Sequence, residues 1–156
     1  MTPAYPCYVF DIDGTLADMS HRLHYIVREP GDDRPKDWRA CFSAVADDAP
    51  IFHMVRVCQA LARDCMDIVF VSGRSDECRA STVAWLLRYI PSVRPANLYM
   101  RRAGDHRPDD IVKREILDQM RADGWRPVMA FDDRTRVVKM WREAGIPCAQ
   151  VAEGNF

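Results

Sequence analysis

No run of apolar residues in this 156-residue chain approaches the ~18 that a membrane-spanning helix needs. The opening residues, Met1 to Cys7, lack a basic segment followed by an apolar stretch, so no secretory leader is read. Net charge is nearly absent, at -1, and with it the basic excess usual in proteins that grip nucleic acid along its length. Lysine is scarce: Lys36, Lys113 and Lys139 stand against 19 arginines among the 22 basic residues. Arginine suits bidentate phosphate contacts, although a coding bias would leave the same excess. The six cysteines form no C-x-x-C pair and no Cys/His zinc pattern, which points to reduced thiols in a reducing compartment. Cys58 and Cys65 sit seven apart, on what reads as one apolar helical face. The four histidines show no metal-ligand spacing, and no internal repeat or low-complexity tract appears. These absences leave a soluble cytoplasmic protein with no membrane partner. Its length suits one domain over residues 1–156.

What is present is an alternation of short apolar runs with amphipathic segments. Cys7–Asp11, Ile68–Val71, Asn97–Met100, Val128–Phe131 and Ala149–Val151 read as strands. Between them lie helical patterns. One begins near Pro50 and runs to residue 65, and one starts from an Asp76 cap. Another opens at Asp109 or Asp110 and closes at Gly124, and the last stops at Gly145. This alternation predicts an α/β fold, a Rossmann-like three-layer parallel sheet with helices on both faces. Residues 19–49 lack strong periodicity until Lys36–Val45, and read as a small helical flap or cap after the first strand.

In such sheets ligands bind beyond the carboxyl ends of the strands. Those ends hold Asp11 and Asp13, Ser72 and Arg74, and Asp132 and Asp133. Asp11 and Asp13 share an orientation if the extended geometry persists. Two carboxylates 4 Å apart repel by roughly 4 kcal/mol at an effective dielectric near 20. A divalent cation relieves that repulsion, and an all-oxygen donor set suits magnesium. Each aspartate taken singly would equally serve a helix cap or an Asx turn. Two pairs with an intervening Ser-Gly-Arg favour the metal.

The motif Phe10-Asp-Ile-Asp-Gly-Thr-Leu16 resembles the first motif of the haloacid dehalogenase (HAD) superfamily of aspartate-nucleophile phosphatases. Val71-Ser-Gly-Arg74 resembles the second, Lys113 the third and Phe131-Asp-Asp133 the fourth. Within that superfamily the likeness runs to the 3'-phosphatase domain of bacteriophage polynucleotide kinase. It takes in Asp109-Asp-Ile-Val-Lys113, Phe131–Val138, Met140-Trp-Arg142 and the tail Cys148–Phe156. The resemblance implies a Mg2+-dependent phosphomonoesterase acting through an aspartyl-phosphate. It makes Asp11 the nucleophile and Asp13 the general acid and base, a role that asks for a raised pKa. Ser72 and Lys113 hold the phosphoryl oxygens. Asp11, the Asp13 backbone carbonyl and Asp133 ligate the metal, with Asp132 either a ligand or just behind. Arg22, Arg74, Asp109 and Arg102 belong to the substrate side, and Asp109 orients Lys113 or an arginine.

None of the seven glycines begins the G-x-x-x-x-G-K-[ST] loop of the phage enzyme's kinase half, so no 5'-kinase activity is expected. The substrates implied are 3'-phosphorylated DNA or RNA ends, with nucleoside monophosphates or other small esters as the alternative. A response-regulator receiver also places aspartates and a lysine at strand ends. It has no need of an acid two residues after its phospho-acceptor, and Asp13 therefore favours turnover. A non-catalytic binder is disfavoured because every motif residue is intact. Arg101, Arg102, His106 and Arg107 form a basic cluster suited to a substrate backbone or to plain solvent. Of the four tryptophans, Trp38 alone falls in the flap. Oligomeric state is not legible.

Overall fold

The computed structural model describes residues 4–154. Five strands make the central sheet: β1 (Tyr5–Phe10), β4 (Asp67–Ser75), β5 (Leu98–Arg101), β6 (Trp125–Arg134) and β7 (Cys148–Gly154). Their order is β5-β4-β1-β6-β7, and every neighbouring pair is parallel. Side chains alternate across a strand, and the two faces found separate cores. Phe10, Ile68 and Phe70 pack under α2 (Phe52–Arg63) and α3 (Arg79–Tyr89). Cys7, Val9, Val69 and Val71 pack under α4 (Asp109–Ala122) and α5 (Thr135–Glu143). The three expected layers are therefore present.

Several strands outrun their apolar runs, because a ladder is held by backbone hydrogen bonds whatever the side chains are. β6 starts at Trp125, three residues before Val128, where Tyr5–Cys7 pairs with Trp125–Pro127. Pro127 has no N–H to give, and the register shifts beside it, leaving Val128 as a bulge. β4 likewise continues through Ser72-Gly-Arg-Ser75, where a break was expected, because Ser75 pairs with Arg101 of β5.

Two local expectations fail. Asp76 is not the cap: Ser75 accepts from the Glu77 N–H at the start of a short 3-10 turn, and α3 begins at Arg79. Cys65 is exposed, while Cys58 is buried. α2 ends at Arg63, and Cys65 turns the chain with φ +58°, so it has left the helical face before its side chain can join the core.

The excursion at 19–49 springs from a two-residue antiparallel stem, β2 (Ala17–Asp18) against β3 (Ala49–Pro50). It carries 3-10 turns at Ser20–Tyr25 and Val45–Asp47, and a short α1 (Trp38–Ser43). Met19, Ile26 and Cys41 give it a small core of its own. No described helix is long and apolar enough to cross a membrane.

Candidate active site

The sheet's carboxyl edge assembles the acids strand by strand. Beyond Phe10 the Asp11 N–H donates to the Phe131 carbonyl (3.0 Å), so the β1–β6 ladder runs one step further. The rings of Phe10 and Phe131 stack at 4.4 Å on one face. Asp11 and Asp132 follow those two residues and so turn to the opposite face, that of α4. Lys113 lies one turn into α4, and helical side chains lean toward the helix N-terminus, here toward the sheet edge. Its Nζ donates to Asp11 Oδ1 and to Asp132 Oδ2, each at 2.8 Å. All three groups are buried.

Asp133 completes the cluster: carboxylate oxygens of Asp11, Asp132 and Asp133 lie within 4.8 Å of one another. Asp133 Oδ1 is buried and has no hydrogen-bond partner, whereas Asp132 is engaged by Lys113 and by the Arg134 N–H. Burial, then the charge of Asp132, pushes the Asp133 carboxyl up to about 6. Burial also raises Asp11 well above the carboxylate range, against the pull of Lys113, and Asp132 and Asp133 add to the rise. Burial opposes the charge on Lys113, but Asp11 and Asp132 outweigh it and keep the ammonium protonated. Three acids with one lysine leave uncompensated negative charge and a free oxygen, and that donor set fits a hard divalent cation. Gly14 closes the loop at φ +78°, and a Cβ there would stand 2.2 Å from Asp133 Oδ2. Gly154 of β7 presses on the backbone of the same aspartate, where a Cβ would meet the Asp133 carbonyl oxygen at 2.5 Å.

Asp13 departs from its expected company. The chain curls back on itself at Ile12, whose carbonyl accepts the N–H groups of Leu16 and Ala17. Asp13 is not part of the three-carboxylate cluster, and its Oδ1 instead accepts from Arg22 (2.5 Å) and Arg74 (2.6 and 3.0 Å). Its raised pKa is also overturned: burial pushes upward, but Arg74 and Arg22 prevail and hold the carboxyl below its ordinary value.

Both arginines share a second acid that sequence reasoning missed. Asp48 takes Arg22 on both oxygens (2.7 and 2.8 Å) and Arg74 on one (2.6 Å). His21 lies 2.8 Å from Asp48 Oδ1, and the Trp85 indole donates to the Asp48 carbonyl. Arg22, Arg74 and Asp48 are all buried. Asp48 stands just before β3, 35 residues after Asp13, with no motif around it to mark it.

Ser72 is buried within β4, and its Oγ accepts the Arg74 N–H at 3.2 Å. Asp109 orients two arginines rather than Lys113: Arg101 donates to its Oδ1, and Arg134 to its Oδ2 at 2.6 Å. Arg102 is exposed past the end of β5. Arg101, Arg102, Asp109 and Arg134 border a cleft of about 1120 Å³ running from Asp11 to the flap. Its lining holds eleven arginines and lysines against five carboxylates.

A family model of the polynucleotide kinase PNKP phosphatase domain matches residues 5–156. A putative bifunctional polynucleotide kinase/RNA ligase of Autographa californica nuclear polyhedrosis virus is 31% identical over 139 residues. The match covers 88% of this chain and 18% of that protein. A chain in the structure of the Pnkp1/Rnl/Hen1 complex superposes with TM-score 0.78 at 27% identity, over 98% of this chain and 47% of that one. A second structure, of the Pnkp1/Rnl/Hen1 RNA repair complex, gives TM-score 0.77 at the same identity, over 98% of this chain and 44% of the other. The class C acid phosphatase of Bacillus anthracis shares the fold, with TM-score 0.69 at 16% identity over 99% of this chain and 68% of that one. The chain thus spans under half the length of its viral and repair-complex relatives.

Proposed function

This chain belongs to the phosphatase-domain family of polynucleotide kinase PNKP, a family of phosphoric-monoester hydrolases, and on that premise we propose that it removes 3'-phosphates from nucleic-acid ends. The observation that carries the chemistry is Lys113 wedged between Asp11 and Asp132, beside the partnerless oxygen of Asp133. With Oδ1 held by the ammonium, Asp11 offers its other oxygen to phosphorus, forming an aspartyl-phosphate as the 3'-oxygen departs. Lys113 and the buried Ser72 neutralise and orient the phosphoryl oxygens. The phosphomonoester's second ionisation lies near pH 6, so its monoanion brings the proton that the departing oxygen needs. Asp13, held ionised by Arg22 and Arg74, takes the proton of the water that hydrolyses the acyl-phosphate.

Magnesium would be held by Asp11, Asp133 and the Asp13 backbone carbonyl, with Asp132 set behind by its bond to Lys113. When bound it supplies positive charge against the anionic substrate and nucleophile. The cationic cleft reaching from Asp11 to the flap supports a polymer end over a small ester. Residues 1–156 act as one phosphatase domain, with residues 19–49 as the flap at its mouth.

The deciding experiment is phosphate release with Mg2+ from matched 3'- and 5'-phosphorylated oligonucleotides and from free 3'- and 5'-nucleoside monophosphates, with Asp11→Asn as the blank. Preference for the 3'-phosphorylated oligonucleotide is expected. Equal or better turnover of free nucleotides overturns the reading and makes the protein a nucleotide phosphatase.

A further inference from the structure

The flap presents an aromatic surface that the chemistry above leaves unused. Trp38 opens α1, whose first turn is fixed by Asp37 accepting the Ala40 N–H at 2.9 Å. One turn on, the Phe42 ring lies against the indole with centroids 5.7 Å apart and planes 29° from parallel. Phe42 is itself packed on the main hydrophobic core, so the indole rests on an anchored support. Trp38 is nevertheless 41% exposed, whereas Trp85 and Trp141 are buried. Among the described residues the large exposed hydrophobics number seven, and only Val27 and Trp38 border the cleft. A tryptophan that served only to pack the flap would join its small core of Met19, Ile26 and Cys41, and this one does not. Cations flank it: Lys36 Nζ lies 5.9 Å from the ring centroid, and Arg39 is its neighbour on α1, both on the cleft wall.

A rigid, half-exposed indole between cations, continuous with a phosphate-handling site, is the arrangement that single-stranded nucleic acid uses. Bases stack on the ring while the backbone follows the charge. We propose that Trp38 is a base-stacking platform for the 3' end of a single strand, with Lys36 and Arg39 facing its phosphodiesters. The inference rests on the 3'-end reading above and assigns that reading a specificity residue. Stacking is tolerant of sequence because every base has a π-face, so the subsite selects strand ends without selecting bases.

The test compares wild type, Trp38→Phe and Trp38→Leu, each with Mg2+, on a 3'-phosphorylated single-stranded oligonucleotide and on p-nitrophenyl phosphate. Leucine keeps an apolar contact with Phe42 and removes the ring. It is expected to raise KM for the oligonucleotide about fivefold or more, leave kcat within twofold, and leave p-nitrophenyl phosphate hydrolysis unchanged. Phenylalanine restores most of the affinity. An oligonucleotide lacking a base at either of its last two positions should weaken wild type to the Trp38→Leu level and weaken Trp38→Leu no further. Unchanged KM in Trp38→Leu, or equal loss on both substrates, overturns the proposal. Failure of the 3'-end reading shows separately, as a wild type that does not favour the oligonucleotide.

Discussion

At Asp48 one carboxylate decides where two guanidinium groups point. It takes Arg22 on two oxygens and Arg74 on one, and both arginines then converge on Asp13. Removing one member of a buried charge network leaves the others unpaired in low dielectric and costs about 3–5 kcal/mol. Asp48→Ala should lower unfolding stability by that order in urea melts and cut kcat with it. A melt matching wild type would mean water replaces the carboxylate freely. Gly14 is constrained differently, because the atom a side chain would strike belongs to Asp133. Gly14→Ala is expected to cost at least tenfold in activity, with a far-UV spectrum like wild type. Undiminished turnover would show that the loop can shift without disturbing the acids. The role of Asp48 is not written locally, since no motif surrounds it, whereas Gly14 lies in the legible Asp-Gly-Thr motif.

Elements fix which of these side chains can meet. The β2–β3 stem ties both ends of the flap beside Asp13, and the Arg22–Asp48 pair links the flap's first turn to its last residues. The alternation of strands and helices was readable from apolar periodicity. The exact ends were not, because β4 and β6 are extended by pairing with neighbours rather than by their own composition. The end of α2 shows the same limit, since heptad spacing placed Cys65 on the helix and the turn expelled it. Native protein should therefore show one of its six thiols reacting quickly with a disulfide reagent and the other five only on unfolding. Cys65→Ser should remove the fast phase; if that phase persists, another thiol is being opened by local motion.

For the whole molecule, charge distribution matters more than its sum. A net charge of -1 argued for a weak grip on nucleic acid, yet the cleft lining carries eleven basic groups against five acidic ones. Basic groups are thus concentrated along the cleft although they are not in excess over the molecule. Raising salt from 50 to 300 mM should raise KM for a 3'-phosphorylated oligonucleotide several-fold and hardly touch p-nitrophenyl phosphate. Equal salt effects would place the attraction at the reacting phosphate alone.

Global stability should also carry the mark of the acidic cluster. Asp133, raised to about 6, is protonated in the folded protein at pH values where the unfolded chain has already ionised it. Between about pH 4 and 6 the native state binds the extra proton, so this group's contribution to stability falls as pH rises. Asp13 works in the opposite sense: its depressed pKa gives stability that is present above the ordinary carboxylate range and lost as pH falls below it. In the proposed site magnesium would bind the ionised form of Asp133, so its effect on Tm should grow from pH 5 to pH 7. Asp133→Asn should abolish that growth. A Tm increment independent of pH in wild type would place the metal elsewhere.

The sequence by itself determined the layers and which acids stand at the carboxyl edge of the sheet, because periodicity and short motifs are local properties of the chain. Only the tertiary structure decided that Asp11 joins Asp132 and Asp133 while Asp13 turns away to Arg22, Arg74 and Asp48. Partners separated by 9 to 122 residues meet through sheet register and the fold of the flap, and electrostatic environment belongs to that meeting rather than to any residue alone.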